Sequence, residues 1–205
     1  MSVAPSSPPA GARGGRPYLI TAEDYARMIE CGAIPEGRRV ELWEGQLVEK
    51  MTKNPPRSTA LKKILAALFP IIPPGWHLAP ECPLHLGPHS VPEPDLTIVR
   101  GGPDDYLDRD PTPADVSLVI EVADTSVAKD LGRMRSAYAA GGVVAYWVVN
   151  LRTRTIEAHA DPIGGDKPEY RSIRSFGDCE AIPLTLDGRA IAELPVASLL
   201  PAVAG

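Results

Sequence analysis

Residues 118–122, with the sequence LVIEV, constrain the fold of this chain more than any other segment. A near-continuous apolar run of this kind is typical of a strand that is buried on both faces of a sheet. An amphipathic segment follows at about residues 127–140, and a second apolar run, VVAYWVVN, follows at residues 143–150. We therefore predict a β-α-β unit over residues 116–150, with parallel strands and a right-handed crossover.

The remaining segments predict further helices and antiparallel strands around this unit. Thr21 is a good N-cap for a short helix that ends at Gly32, and Ser58 is predicted to cap a second helix. Glu44 and Gly45 form the predicted turn of a β-hairpin. The other predicted elements are a strand that follows Pro94, a terminal hairpin at residues 155–161 and 169–176, and a short closing helix at residues 191–200. This pattern predicts an α+β fold, with a mixed β-sheet and flanking helices.

The composition predicts one domain behind an N-terminal tail. The chain has 205 residues, 44% of them apolar, which suits a single domain with its own core. Residues 1–16 are rich in Pro, Gly, Ser and Ala, so we expect a disordered tail before a single domain at residues 17–205. No apolar run approaches the roughly 20 residues that span a membrane. Three widely separated cysteines favour a reduced, cytoplasmic setting.

The charge of the chain limits how it can contact nucleic acid. A net charge of -5 argues against a uniformly basic surface that would coat nucleic acid. The basic residues nevertheless cluster in the sequence, so they form either solvated helix faces or a local basic cleft. The clustered residues are Lys50, Lys53, Arg57, Lys62, Lys63, Lys129, Arg133 and Arg135.

Two carboxylates lie at predicted strand ends and point to chemistry. Asp95 directly follows Pro94 at the start of the run LTIV, and Glu121 lies near the end of the buried strand. An unpaired buried carboxylate is costly, so each needs a cation, a hydrogen-bond network or a raised pKa. Two carboxylates at neighbouring strand ends repel each other unless a hard divalent cation such as Mg²⁺ lies between them. The alternative is that each faces solvent or caps a turn.

Glu41 and three histidines are weaker candidates. Alternation along the first strand places Glu41 on the same face as Trp43, which is predicted to be the solvent face. His77, His85 and His89 have no cysteine pair beside them, so we interpret them as loop residues rather than zinc ligands.

Five segments of the chain resemble the Uma2 family of restriction endonucleases. They are RVELWEGQLVEKMTKNPP, PEPDLTIVRG, DDYLDRDP, LVIEVADTSVAKDLGR and YAAGGVVAYWVVNLRTRTIE, and the resemblance covers about residues 18–200. The ordered series is far more specific than an isolated Pro-Asp or Glu motif. The resemblance implies the restriction-endonuclease-like PD-(D/E)XK core.

The resemblance also implies a metal-dependent phosphodiesterase that acts on DNA with Mg²⁺, or with Mn²⁺ in its place. By matching segments, Asp95 and Glu121 are the metal ligands, and the backbone carbonyl of Val122 supplies a further oxygen. Glu41 matches the glutamate of the family's first hairpin. The metal lowers the pKa of a bound water and offsets charge that develops on the phosphate.

The chain departs from the family pattern at two positions. The family carries a lysine in a D-x-G-x-K motif on the helix after the strand, and here the motif reads DLGRM, with Met134 in that place. The family segment NPPH reads NPPR, with Arg57 in place of histidine. Methionine cannot orient a water or carry charge, so we expect Lys129 to be the best substitute. Met134→Lys is expected to raise cleavage on the order of 10²-fold.

The sequence therefore predicts a Mg²⁺-dependent endonuclease that is weak or inactive. The alternative is a catalytically degenerate nucleic-acid-binding or assembly protein with the same fold, and nothing in the sequence supports a small-molecule pocket. Cleavage of both strands of a duplex favours a homodimer. The residues predicted to contact nucleic acid are Arg57, Lys62, Lys63, Arg133 and Arg135.

Overall fold

A computed structural model describes residues 16–50, 54–124 and 127–202, apart from the side chains of residues 127–131. The predicted tail therefore lies outside the described residues, except for Arg16. Within the described residues, no helix is long and apolar enough to cross a membrane.

The described chain contains four α-helices and ten strands. The helices are α1 (Ala22–Glu30), α2 (Pro55–Leu68), α3 (Val127–Gly141) and α4 (Val196–Leu199). The first five strands are β1 (Val40–Trp43), β2 (Gln46–Glu49), β3 (Trp76–Ala79), β4 (Leu96–Arg100) and β5 (Val116–Ala123). The others are β6 (Ala145–Asn150), β7 (Thr155–Ile163), β8 (Glu169–Gly177), β9 (Ala181–Leu186) and β10 (Arg189–Pro195).

A six-stranded mixed sheet organises the molecule, in the order β3-β4-β5-β6-β7-β8. β5 and β6 are parallel and α3 connects them, which confirms the β-α-β unit predicted from the sequence. The other neighbouring pairs of this sheet are antiparallel. Because the antiparallel strand β4 precedes β5, the start of β4 and the end of β5 meet at one end of the sheet.

The face of the sheet that packs on α2 and α4 is apolar. Alternate residues of β5, namely Leu118, Ile120 and Val122, lie in this core with Ile64 and Leu68 of α2. Because the side chains of a strand alternate between its two faces, Glu121 lies on the opposite face, towards α3. The core beside α3 contains Val119, Tyr138 and Tyr146.

The β1–β2 hairpin packs beside the second core through Trp43, whose ring contacts Tyr138 edge-on at a centroid distance of 6.0 Å. Glu44 and Gly45 form its turn as predicted, with φ values of 48° and 77°. Two residues with positive φ are what a tight hairpin turn requires, and glycine adopts this conformation without strain.

Two sequence predictions about secondary structure were wrong. Asn54, not Ser58, caps α2: its side chain accepts a hydrogen bond from the backbone N–H of Arg57 at 3.1 Å. Pro55 at the first helical position supports this earlier start. The predicted closing helix at residues 191–200 is mostly the strand β10, which pairs with β9, and only α4 is helical.

Candidate active site

The structure brings Asp95 and Glu121 together at one end of the sheet. Leu96 pairs with Ile120 in the β4–β5 register, so the preceding Asp95 lies across from Glu121 on the face towards α3. Both residues are buried, with 1% and 6% of their surface exposed. The backbone N–H of Val122 donates to Oδ2 of Asp95 at 2.9 Å, which fixes this carboxylate against β5.

Burial and the neighbouring Asp95 determine the protonation of Glu121. Burial has the largest effect and the charge of Asp95 the next, and together they raise the pKa of Glu121 to about 8. The hydroxyl of Tyr138 donates to Oε1 of Glu121 at 2.9 Å and lowers this pKa, as does the charge of Lys50. The site therefore holds two facing carboxyls that resist simultaneous ionisation, which a bound cation would relieve.

Arg57 reaches the same pair from the first turn of α2. Its Nη2 donates to Oδ2 of Asp95 at 2.9 Å, and its side chain is 20% exposed. The side chain of Asn54, which caps α2, also donates to Asp124 just after β5. These contacts hold the start of α2 against the end of β5. Arg57 was predicted to contact nucleic acid, and the structure places it on the carboxylate pair.

Glu41 is buried, contrary to its predicted position on the solvent face. The solvent-face prediction was wrong because both faces of β1 are covered, by the core beside α3 on one side and by α1 on the other. Oε2 of Glu41 accepts from the indole N–H of Trp43 at 2.7 Å, and Oε1 accepts from the backbone N–H of Glu93 at 3.1 Å. The Nζ of Lys50 lies 3.0 Å from the same Oε1. The charge of Glu41 also raises the pKa of Glu121.

Helix α3 brings no described cation to the carboxylate pair. Met134 is half-buried and packs against the core beside α3. The Nη2 of Arg133 lies 2.8 Å from Oε2 of Glu44 in the hairpin turn, where both side chains are exposed. The charge of Arg135 instead lowers the pKa of Tyr146 and the pKa of His159. The side chain of Lys129, the predicted catalytic substitute, lies outside the described residues.

The other candidates lie apart from the pair. Lys62 is exposed and Lys63 half-buried on α2. The Nδ1 atoms of His77 and His89 each lie 2.9 Å from a backbone carbonyl oxygen. His77 is on β3 rather than in the predicted loop.

An open groove of about 510 Å³ lies beside this end of the sheet, next to the start of α2. Its lining includes Asp124, Arg152 and Arg154. Arg154 is bound to Asp178, whereas Arg152 is exposed. Asp124, the residue that follows β5, lines this groove, whereas Asp95 and Glu121 do not.

The chemistry of the donor set fits a hard divalent cation. In the part of the chain that the structure describes, no group of three or more His, Cys, Asp or Glu side chains is placed to hold a metal. Two facing carboxylates are nevertheless enough for Mg²⁺, which commonly takes one or two carboxylates and completes its shell with water and phosphate oxygens. The ion would share Asp95 with Arg57.

Lys50 and Tyr138 are the site residues that the sequence analysis missed. Lys50 was counted only among clustered basic residues, although it directly follows β2 in the hairpin that carries Glu41. Tyr138 was not singled out in the sequence. Its hydroxyl and the spacing of about one turn from Met134 were the available signals, because residues four apart lie on one helix face.

Comparison with known proteins shows the family and the fold of this chain. The sequence model of the Uma2 family, described as "Putative restriction endonuclease", matches residues 22–197. The chain belongs to this family. The match covers the carboxylate pair, the hairpin and α3, and it confirms the family resemblance of the five segments. Generally, enzymes with the restriction-endonuclease-like fold use divalent metals.

A solved structure from Anabaena variabilis ATCC 29413 shares the fold. It is described as "a putative nuclease belonging to DUF820", and it superimposes with a TM-score of 0.65 over 88% of this chain and 97% of its own. The sequence identity is 12%, so this likeness supports the α+β fold and not the details of the site. No curated protein matches the sequence.

Proposed function

We propose that this protein is a metal-dependent endonuclease that hydrolyses phosphodiester bonds of DNA at a low rate. The observation that carries the proposal is the buried pair of Asp95 and Glu121, which face each other across β4 and β5. Arg57 is bound to Asp95, and the charge of Lys50, which is bound to Glu41, acts on Glu121, so a phosphate group would meet positive charge where it meets the bound metal.

Asp95, Glu121 and the backbone carbonyl of Val122 would hold Mg²⁺ or Mn²⁺. The bound ion supplies a water of lowered pKa and offsets charge on the phosphate. The protein's own residues prepare the ligands. The Val122 N–H and Arg57 orient Asp95, and the Tyr138 hydroxyl orients Glu121 and favours its ionised form. Glu41 acts as a further site carboxylate because it holds Lys50 near the pair.

The acidic chain needs local positive charge to bind DNA. We propose that Lys62, Lys63, Arg133 and Arg135 contact phosphates outside the metal site, and that Arg57 does so within it. Contacts of this kind make affinity fall steeply as salt rises. We expect a homodimer where both strands of a duplex are cut, and a cytoplasmic location.

One observation favours a second function, that of a non-catalytic nucleic-acid-binding protein. Met134 packs into the core at the family's lysine position, and Arg57 already binds Asp95. A site that is neutralised by an arginine has less need of a metal. Binding of DNA without cleavage at any divalent metal concentration would favour this function.

A nicking assay on supercoiled plasmid DNA with Mg²⁺ or Mn²⁺ tests the proposal. Asp95→Asn should lower the rate on the order of 10²-fold or more, because it removes a charged metal ligand. Asp187→Asn is the matched control: Asp187 is also bound to an arginine, Arg100, but at the opposite end of β4. Equal rates for the two variants and the unsubstituted protein would refute a role for the pair.

A further inference from the structure

The site lacks the ammonium group that the family places on α3, because Met134 occupies that position. Among the side chains that the structure describes, cations around the site come from α2, from α3 and from the β1–β2 hairpin. Arg57 is bound to Asp95. Arg133 is bound to Glu44 at the surface of the hairpin. Arg135 of α3 acts on the pKa of Tyr146 and His159, whereas the charge of Lys50 acts on Glu121.

Lys50 is held firmly in place. Its backbone N–H donates to the carbonyl of Arg39 at 2.7 Å, which extends the β1–β2 ladder by one residue. Its Nζ lies 3.0 Å from Oε1 of Glu41 and also donates to the carbonyl oxygen of Glu93. Only 10% of the side chain is exposed. A long and flexible side chain is thus fixed at considerable entropic cost. The Glu93 carbonyl that it contacts lies two residues before Asp95 in the sequence.

The charge of Lys50 also acts on Glu121 of the carboxylate pair. The charge of Glu41 raises the pKa of Glu121, and the charge of Lys50 lowers it. An ammonium has three N–H donors, and Glu41 and the Glu93 carbonyl take two of them. The third can donate to a phosphate oxygen that reaches Asp95 and Glu121.

We propose that Lys50 is the catalytic lysine of this chain, supplied by the hairpin in place of the lysine that α3 lacks. This inference rests on the proposed endonuclease function. The ammonium donates to a non-bridging oxygen of the phosphate under attack and stabilises the charge that develops there. Under this proposal Lys50, rather than Lys129, takes the role of the lysine that Met134 replaces.

The reaction balances without a change in the protonation of Lys50. The oxygen of a water molecule forms a bond to phosphorus while the bond from phosphorus to one ester oxygen breaks. The departing ester oxygen takes up a proton, and the attacking water releases one to solvent. Lys50 keeps its three protons and its charge throughout.

The experiment compares single and double variants in the nicking assay, with the binding of a duplex in Ca²⁺ as a second measurement. Lys50→Met should lower cleavage on the order of 10²-fold. Met134→Lys in the Lys50→Met background should restore most of it, because it returns an ammonium to the site from α3. Met134→Lys alone should then raise cleavage less than about 10-fold, well below the gain expected if the site had no lysine.

Three controls separate this role from a structural one. Lys50→Arg, which keeps the charge, should retain more activity than Lys50→Met. Lys129→Ala and Lys167→Met should leave cleavage unchanged, since Lys167 lies at the opposite end of the sheet, in the β7–β8 loop. In Ca²⁺, Lys50→Met should reduce the salt dependence of duplex binding by about one phosphate contact, and Lys167→Met should not.

The outcomes distinguish this proposal from the proposed function. An unsubstituted protein that neither binds nor cuts DNA would overturn both. Cleavage that persists in Lys50→Met but is lost in Lys129→Ala would overturn only the role of Lys50. So would an unsubstituted protein that binds but cuts only after Met134→Lys. If Lys50→Met fails to fold, Lys50→Gln, which keeps a donor to Glu41, takes its place, and undiminished cleavage by it would refute the proposal.

Discussion

The two faces of the central sheet differ sharply. The face towards α2 and α4 buries aliphatic residues such as Ile120 and Val122, together with the aromatic rings of Trp147 and Phe176. The face towards α3 buries Glu121 and His159 among tyrosines. Adjacent residues of β5 therefore lie in opposite environments. The difference shows that one strand can support the core with one set of side chains and the site with the other.

The polar face is supported by specific partners rather than by packing alone. Tyr138 donates to Glu121, and Tyr170 donates to the carbonyl of Val143 at 2.9 Å. The rings of Tyr146 and His159 stack at a centroid distance of 5.4 Å. Buried polar groups of this kind reduce stability when they lack partners, so this face should respond to pH and to metal where the other does not.

The largest expected difference is in the pH dependence of stability. The pKa of Glu121 is raised from 4.5 to about 8 in the folded protein, so the folded state keeps a proton that the unfolded chain releases. The free energy of unfolding should therefore fall as pH rises from about 4.5 to about 8, by on the order of 4 kcal/mol without metal. Urea unfolding across this range measures it, and Glu121→Gln should remove most of the fall.

A bound divalent metal should offset this fall in the free energy of unfolding. A divalent ion binds the ionised carboxylates of the folded state, so Mg²⁺ or Mn²⁺ should raise the free energy of unfolding near pH 8. Glu121→Gln should not respond. A pH dependence that is the same in Glu121→Gln and in the unsubstituted protein would mean that the two faces do not differ in the way described.

The apolar face should show the opposite behaviour. Ile120→Ala removes a fully buried side chain next to Glu121 and should lower the free energy of unfolding by about 3 kcal/mol. Cleavage per folded molecule should stay nearly unchanged, because the substituted side chain points away from the site. Urea unfolding and the nicking assay measure the two effects. A large loss of specific activity in folded Ile120→Ala would show that the apolar face also sets the geometry of the site.

The sequence predicted the parts of the fold that rest on strong local patterns. The apolar runs in β5 and β6, with the helix between them, predicted the parallel pair correctly. The β9–β10 hairpin was missed although Asp187 and Gly188 form its turn, with φ values of 49° and 73°. An Asp-Gly pair is a strong hairpin signal. Pro183 within β9 weakened the pattern, since proline is unfavourable in most strand positions.

Within the site, the sequence predicted the carboxylates but not their partners. Asp95 and Glu121 stand out because carboxylates are rare in buried strands. The contact of Arg57 with Asp95 joins residues 38 positions apart, and that of Lys50 with the Glu93 carbonyl joins residues 43 apart. Strand alternation also misplaced Glu41, because β1 is covered on both faces and therefore has no solvent face. Such contacts depend on tertiary packing, which local patterns do not encode.

The smallest expected effect compares two tyrosines of the polar face. Tyr138→Phe removes the hydrogen bond to Glu121 and should lower the free energy of unfolding by about 1–2 kcal/mol near pH 8. This hydrogen bond also lowers the pKa of Glu121, so its loss should raise that pKa further and weaken metal binding at neutral pH.

Tyr146→Phe is the matched control for Tyr138→Phe. The hydroxyl of Tyr146 is buried and has no hydrogen-bond partner among the described residues. Its removal deletes a polar atom without breaking a contact, so stability should stay within about 0.5 kcal/mol and metal affinity should not change. Urea unfolding and calorimetric titration with Mn²⁺ measure both quantities. Equal losses of stability and metal affinity in the two variants would mean that the packing of the aromatic rings supports Glu121. Losses confined to Tyr138→Phe would mean that the hydroxyl of Tyr138 supports it.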